Sequence, residues 1–369
     1  MDAKAYWVGF NKIKGIGAAR TKKLLSHFGD LESAWHASAH DLNLTGIPPS
    51  IVEEIIKTRS KLNLDEEFAR IKELGIQITI VDDDEYPNRL KTIEQPPPVL
   101  FYKGNIKCTE EYAVAVVGTR HPTAYGKQIA SELANFLVQN NITVVSGLAR
   151  GIDSEAHQAV VEAGGYTIAV MGCGVDIIYP PEHRNLANKI LEKGVILSDY
   201  PPGTQPEGIN FPPRNRIISG LSLATVIVEA GERSGALITA EFAVNQNREV
   251  FAVPGLIYAR QSKGTNRLIK DGAFLLDNFE EILDILNLNQ IAEFRFAQKT
   301  LPVNEIESLL IQTIKNESMH IDDIKSTTGL SMEKVSAALI MMELKGLVKQ
   351  VGNLTYISIG ESGVTYEEG

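Results

Sequence analysis

The residue types best suited to chemistry in this chain are concentrated between positions 211 and 241. The segment reads Phe-Pro-Pro-Arg-Asn-Arg-Ile-Ile-Ser-Gly, then Leu-Ser-Leu-Ala-Thr-Val-Ile-Val-Glu-Ala, then Gly-Glu-Arg-Ser-Gly-Ala-Leu-Ile-Thr-Ala-Glu. Two prolines are expected to stiffen a loop that carries Phe211, Arg214, Asn215 and Arg216, whose aromatic and arginine side chains cannot all be core. The apolar run 224–228 reads as a buried strand feeding Ser234-Gly235, a turn that opens a helix. That layout gathers a stacking surface, positive charge and free helix-start amides at the carboxyl end of a sheet. A nucleotide or a single-stranded nucleic acid needs all three.

Elements able to position such a site recur upstream and downstream. Short apolar runs at 114–117, 142–145, 168–171, 195–197, 224–228 and 250–253 alternate with amphipathic stretches. Between the first two, Ile129, Leu133, Phe136 and Leu137 fall on one helical face. Strands that are continuously apolar belong to a parallel sheet covered on both sides, so the fold class is α/β with a doubly wound Rossmann-like sheet. Such sheets bind ligands outside the carboxyl ends of their strands. The residues at those ends include Gly118, Thr119 and Arg120, then Ser146, Gly147 and Arg150, then Gly172 to Asp176, then Glu229 to Gly231. Any one of Arg120, Arg150, Arg214, Arg216 and Arg233 is explained equally well as a surface ion pair. Several on one rim, beside glycines and Phe211, point to anion binding. Phe211 itself reads either as a base-stacking ring or as a loop anchor.

The composition narrows the partners. The net charge is −10, with residues 1–75 near neutral and the remainder acidic, so nucleic acid can meet only a local basic groove. Arginine outnumbers lysine only between 76 and 289, and arginine is the better phosphate fork. Cys108 and Cys173 are too few for a disulfide framework or a cysteine zinc site. With no long apolar run and no signal-like start, the expected location is cytoplasmic.

Several enzyme classes fit poorly. The turn after the first central run, Gly118-Thr119-Arg120-His121-Pro122, lacks the Gly-x-Gly-x-x-Gly spacing of nicotinamide enzymes, and no acidic residue ends the second run. There is no Walker lysine turn and no triad or metal-ligand spacing. No metal or cofactor is expected. His157 reads as packing, His121 and His183 as loop residues, Asp153 as a helix cap and Asp176 as a turn residue. Glu229 and Glu241 are the carboxylates worth testing for catalysis.

Three flanking segments complete the plan. Residues 1–75 read as paired helices around Gly turns, Lys14-Gly15-Ile16-Gly17 and Leu44-Thr45-Gly46-Ile47-Pro48-Pro49, like helix-hairpin-helix or SAM-like modules. Such a module binds phosphates or merely packs. Residues 76–289 form the Rossmann-like domain, entered by a connector at 82–105 whose Pro96-Pro97-Pro98 favours an extended strap. Residues 300–360 read as a winged helix: three helices (306–314, 321–328 and from a Ser331 cap to Lys345), then a hairpin around Gly352-Asn353. Val335, Ala338, Leu339 and Met342 form the core side of its third helix. Its outer faces lack the Arg, Asn or Gln that reads bases, so a protein partner or weak DNA contact is expected. Residues 361–369 form an acidic tail.

Taken together, Gly118-Thr119-Arg120, Ser146-Gly147-Leu148-Ala149-Arg150-Gly151-Ile152-Asp153, the run from Phe211 to Gly220, Ser234 to Glu241 and Val253-Pro254-Gly255 resemble the DprA/Smf family, the bacterial DNA-processing proteins of natural transformation. The resemblance is dense over the central domain and looser at both ends. It implies a non-enzymatic, single-stranded DNA-binding recombination mediator. Such a protein protects incoming DNA, loads RecA recombinase, displaces or bypasses single-strand-binding protein, and forms a homodimer through the Rossmann-like domain. Carried over onto matching positions, Arg120, Phe211, Arg214 and Asn215 would hold DNA. The rim argument adds Gly118, Thr119, Ser146, Gly147, Arg150, Arg216, Ser234 and Gly235. Residues Leu268, Ile269 and Phe274 are expected near a subunit edge. The alternative is a nucleotide-binding or nucleoside-phosphate-cleaving enzyme related to phosphoribohydrolases, which carry Pro-Gly-Gly-x-Gly-Thr where this chain has Gly231-Glu232-Arg233-Ser234-Gly235.

Overall fold

The computed structural model describes residues 2–106, 112–288, 305–314, 318–344, 347–352 and 354–358. Cys108, Lys345, Asn353 of the expected hairpin turn, the start of the winged helix at 300–304 and the tail at 361–369 lie outside them. The chain divides into two compact units, Met1–Phe279 and Glu280–Gly369.

The first unit is built on a nine-stranded sheet. Its strands are β1 (Gln77–Ile80), β2 (Val99–Gly104), β3 (Ala113–Val117), β4 (Thr143–Ser146), β5 (Thr167–Val170), β6 (Val195–Ser198), β7 (Ala224–Ile227), β8 (Glu249–Ala252) and β9 (Phe274–Leu275), in the spatial order β1-β2-β6-β5-β4-β3-β7-β8-β9. The six apolar runs are strands β3 to β8, all parallel. Every residue of β3 is buried. Alternate residues join opposite cores. Phe101 and Ile196 face one, while Leu100, Tyr102, Val195 and Leu197 face the other, as side chains of a doubly covered sheet must. After β1 and β2 at one edge, the parallel part begins in the middle at β3, winds out through β4 to β6, then returns to β7 on the other side of β3. The crevice between β3 and β7 is therefore the switch point where such sheets place ligands.

Three local expectations differ from the structure. The first 75 residues do not stand apart: Trp7, Phe10, Leu24 and Trp35 share a core with Val99, Phe101 and Ile196, and residues 1–279 are one compact unit. The connector at 82–105 is not a strap. It holds the helix Asn88–Lys91 and β2, which pairs antiparallel with β6, and the Tyr86 hydroxyl donates to the Pro97 carbonyl at 2.9 Å. Finally, the expected Pro-stiffened loop is a helix, Phe211–Gly220. Pro212 and Pro213 sit in its first turn, where a missing N–H costs nothing.

In the second unit the helices Glu305–Ile314, Ile321–Thr328 and Met332–Leu344 pack with the sheet β10 (Met319–His320), β11 (Val348–Gly352) and β12 (Thr355–Ser358), ordered β10-β12-β11. Val335, Leu339 and Met342 are buried and Ala338 half-buried, matching the expected core face. Among the described residues no helix is long and apolar enough to cross a membrane.

Candidate functional site

A cavity of about 1050 Å³ opens at the switch point. Its walls come from the β3 turn (Gly118, Thr119, Arg120, His121), from Phe211 and Asn215 of the helix Phe211–Gly220, and from the turn Gly231 to Gly235. A further wall comes from Arg260, Gln261 and Lys263. The Ser234 hydroxyl caps the helix Gly235–Asn245 by accepting from the Ala236 amide, so this helix starts at the cavity. Arg120, Arg233, Arg260 and Lys263 are exposed cations lining one concavity of an acidic chain. Glu232 stands 3.5 Å from Lys263, but both are exposed and the pair is screened.

Phe211 sits at the centre. Its ring lies 5.7 Å from the Arg120 guanidinium, 5.8 Å from that of Arg214 and 5.7 Å from the Tyr179 ring. Both cations are within reach of its π-face. A side chain at Gly172 would strike the Phe211 ring, at 2.7 Å, so this glycine makes the seat of the aromatic.

The arginines separate into two kinds. Arg120 is open. Arg214 is buried, and its guanidinium donates to the carbonyls of Gly147 and Val170. It packs so closely over Gly147 that no Cβ fits there. Burial pushes its pKa down, and burial pushes that of nearby Asp153 up against the opposing pull of Arg214. Asp153 does not cap its helix as expected. It accepts from the Gly147 and Ala149 amides at 3.1 and 3.4 Å and so ties the β4 turn down. Arg216 is likewise engaged away from the cavity, with Asp199 at 2.7 Å and the Gln95 carbonyl at 2.6 Å. The expectation that Arg214 and Arg216 offer free charge on the rim therefore gives way: both tie elements together.

Other expected residues are also placed beneath or beside the cavity. Ser146 is buried and donates to the Val116 carbonyl at 2.6 Å. Gly147 is buried under Arg214. Arg150 is exposed outside the main cavity, paired with Glu182 at 2.5 Å. The structure thus gathers Gly118, Thr119, Arg120, Phe211, Asn215, Ser234 and Gly235 around the opening, with Arg214 in the floor. Sequence reasoning missed Arg260, Gln261 and Lys263. The rim rule would have found them, since they follow β8 as Arg120 follows β3.

The two test carboxylates are occupied elsewhere. Glu229 is buried and accepts from the Thr123 amide and hydroxyl at 2.9 and 2.6 Å, holding the start of the helix Ala124–Gln139. Glu241 is exposed and does not line the cavity. His157 is buried against the Thr167 hydroxyl at 2.8 Å, and burial lowers its pKa to about 3. The Cys173 thiol is buried, donates to the Ile177 carbonyl, and is raised to about 11. Among the described residues no cluster of His, Cys, Asp or Glu could hold a metal ion.

Comparison with known proteins agrees with this architecture. The family model for DNA recombination-mediator protein A matches residues 77–287, and that for the DprA winged helix domain matches 296–353. Protein Smf of Synechocystis sp. is 36% identical, covering 96% of this chain and 98% of its own. The crystal structure of DNA processing protein A from Streptococcus pneumoniae superposes with a TM-score of 0.67 at 34% identity, covering 76% of this chain and 97% of its own. A structure of DNA processing protein A from Helicobacter pylori, described for its single-stranded DNA binding mode, gives a TM-score of 0.52 at 30% identity, covering 58% and 97%.

Proposed function

The chain belongs to the DNA recombination-mediator protein A family, and on that premise we propose that its central cavity binds single-stranded DNA. The observation that carries this reading is that Arg120, Arg233, Arg260 and Lys263 line the same switch-point cavity as Phe211, with Arg120 over its ring. Cations meet phosphates and an aromatic ring meets an unpaired base. A duplex keeps its bases stacked inside and cannot use Phe211, so single strands should bind better. The single-stranded DNA binding of the Helicobacter pylori relative supports the same assignment.

Arg214, Gly147 and Asp153 have a positioning role in this scheme. They fix the β4 turn and one flank of Phe211, while Arg120 and the cations after β8 contact the strand. The partners are single-stranded DNA, RecA recombinase, to which the strand is passed, and single-strand-binding protein, which is displaced. The site acts by binding rather than turnover, because Glu229 is committed to Thr123 and Glu241 stands outside the cavity. The protein works in the cytoplasm as a homodimer. The terminal strand β9, whose Phe274 and Leu275 are exposed, supports a subunit edge near Leu268 and Ile269. The winged helix, exposing Ile340 and Met341, fits a protein partner better than base readout.

A length series of oligothymidylates against mononucleotides tests the reading. Affinity rising with length up to a plateau is expected. Tight mononucleotide binding that ignores length, or release of a free base, would replace it with a nucleotide sensor or a hydrolase.

A further inference from the structure

Three consecutive apolar side chains stand in solvent beside the cavity. Leu256, Ile257 and Tyr258 are 80%, 73% and 89% exposed. A single exposed apolar residue such as Ile209, near the same opening, needs no explanation, but an uninterrupted run on a folded loop does. The loop is tied down on both sides of this tip. The Gly255 amide donates to the Asn266 side chain at 3.2 Å, and the Asn266 amide group donates to the Gly255 carbonyl at 2.9 Å. The Ala259 amide closes a turn on the Leu256 carbonyl, and the Ala230 amide donates to the Gln261 carbonyl. Tyr125 adds a hydrogen bond to the Pro254 carbonyl at 3.2 Å. The tip is thus held by a stiff base.

Its surroundings select the occupant. The residues that follow directly, Arg260, Gln261 and Lys263, line the cationic cavity. A single strand held by those cations would leave past the tip, a few residues away along the chain, with its next bases unpaired. We propose that Tyr258, supported by Leu256 and Ile257, is a second stacking platform that takes a base of the single strand just outside the groove. This rests on the single-strand reading above and extends its footprint beyond the base at Phe211. A pre-ordered platform loses little conformational freedom on binding, which is where stacking on a mobile loop would lose its advantage.

The test uses the full chain and fluorescence anisotropy with a labelled oligothymidylate about 20 nucleotides long. A second probe of equal length replaces the bases outside a short central run with abasic spacers. Stacking one base changes affinity by roughly 5- to 150-fold. Tyr258→Ala should therefore weaken the full oligonucleotide by about 10-fold, Tyr258→Phe should restore it, and the abasic probe should be indifferent to both. The salt slope should stay unchanged, because no phosphate contact is lost. Tyr258 is exposed, so the melting temperature should not move. If Tyr258→Ala binds like wild type while Arg120→Ala is impaired, the platform is refuted and the groove stands. Loss on the abasic probe, or no rescue by phenylalanine, refutes it too. A defect confined to recombinase binding would reassign the tip to a protein partner. If wild type binds no single strand, both readings fail.

Discussion

At the scale of single residues the site turns on two arginines with opposite tasks. Arg120 is open to solvent and faces the Phe211 ring, so Arg120→Ala should weaken single-strand binding by about 10-fold and lower the salt slope by about one, with stability unchanged. Arg214 is buried and serves the carbonyls of Gly147 and Val170 beside Asp153. Removing one member of a buried charged set strands the rest, so Arg214→Ala should cost about 3–5 kcal/mol in urea unfolding. A variant as stable as wild type would contradict that role. This division was not legible in the sequence, because both residues are arginines at rim positions. Arg214 is held against Gly147, 67 positions earlier in the chain, where a Cβ would meet its guanidinium. His157 offers a pH test. Burial, with the charges of His183 and Arg214, lowers its pKa from 6.5 to about 3. Below pH 6.5 the unfolded chain takes the proton first, so this group's contribution is complete above 6.5 and is lost as pH falls toward 3. Between pH 7 and 5.5 wild type should lose about 1 kcal/mol more than His157→Gln. Parallel curves would mean that His157 ionises freely in the fold.

At the scale of elements, the parallel strands were legible and the helix Phe211–Gly220 was not. The runs for β3 to β8 are continuously apolar, a pattern that only a doubly covered sheet explains. Pro212-Pro213 reads as a loop until one asks where a helix tolerates proline, which is its first turn. Similarly, β2 was hidden behind Pro96-Pro97-Pro98, although 99–102 is itself an apolar run. Glu229 shows how an element start can be mistaken for chemistry. Its carboxylate sits at the end of β7 among rim residues but holds Thr123 at the head of the neighbouring helix. Glu229→Ala should therefore destabilise the protein by about 1–3 kcal/mol while single-strand affinity changes less than threefold. A collapse of binding with stability intact would return it to the list of working residues.

At the scale of the whole molecule, an acidic chain of net charge −10 lines one concavity with the exposed cations Arg120, Arg233, Arg260 and Lys263. That localisation favours a strand threaded through a groove over a surface coated with nucleic acid. The first compact unit carries the entire groove, so a chain ending at 288 should bind single strands within about threefold of the full protein. A larger loss would bring the winged helix into DNA contact. The winged helix segment was legible from its pattern of three helices and a hairpin. The merging of residues 1–75 into the Rossmann-like core was not, because it rests on shared packing between Trp7, Phe10 and β2 that no local pattern announces. On this reading the cavity grips unpaired DNA through the exposed cations on its rim. That grip is tested most directly by anisotropy of labelled single-stranded and duplex oligonucleotides across a salt series, with wild type and the Arg120→Ala/Arg260→Ala double variant. A clear single-strand preference is expected, lost in the double variant together with about two units of salt slope. Equal binding to both forms, unchanged by the substitutions, would contradict it.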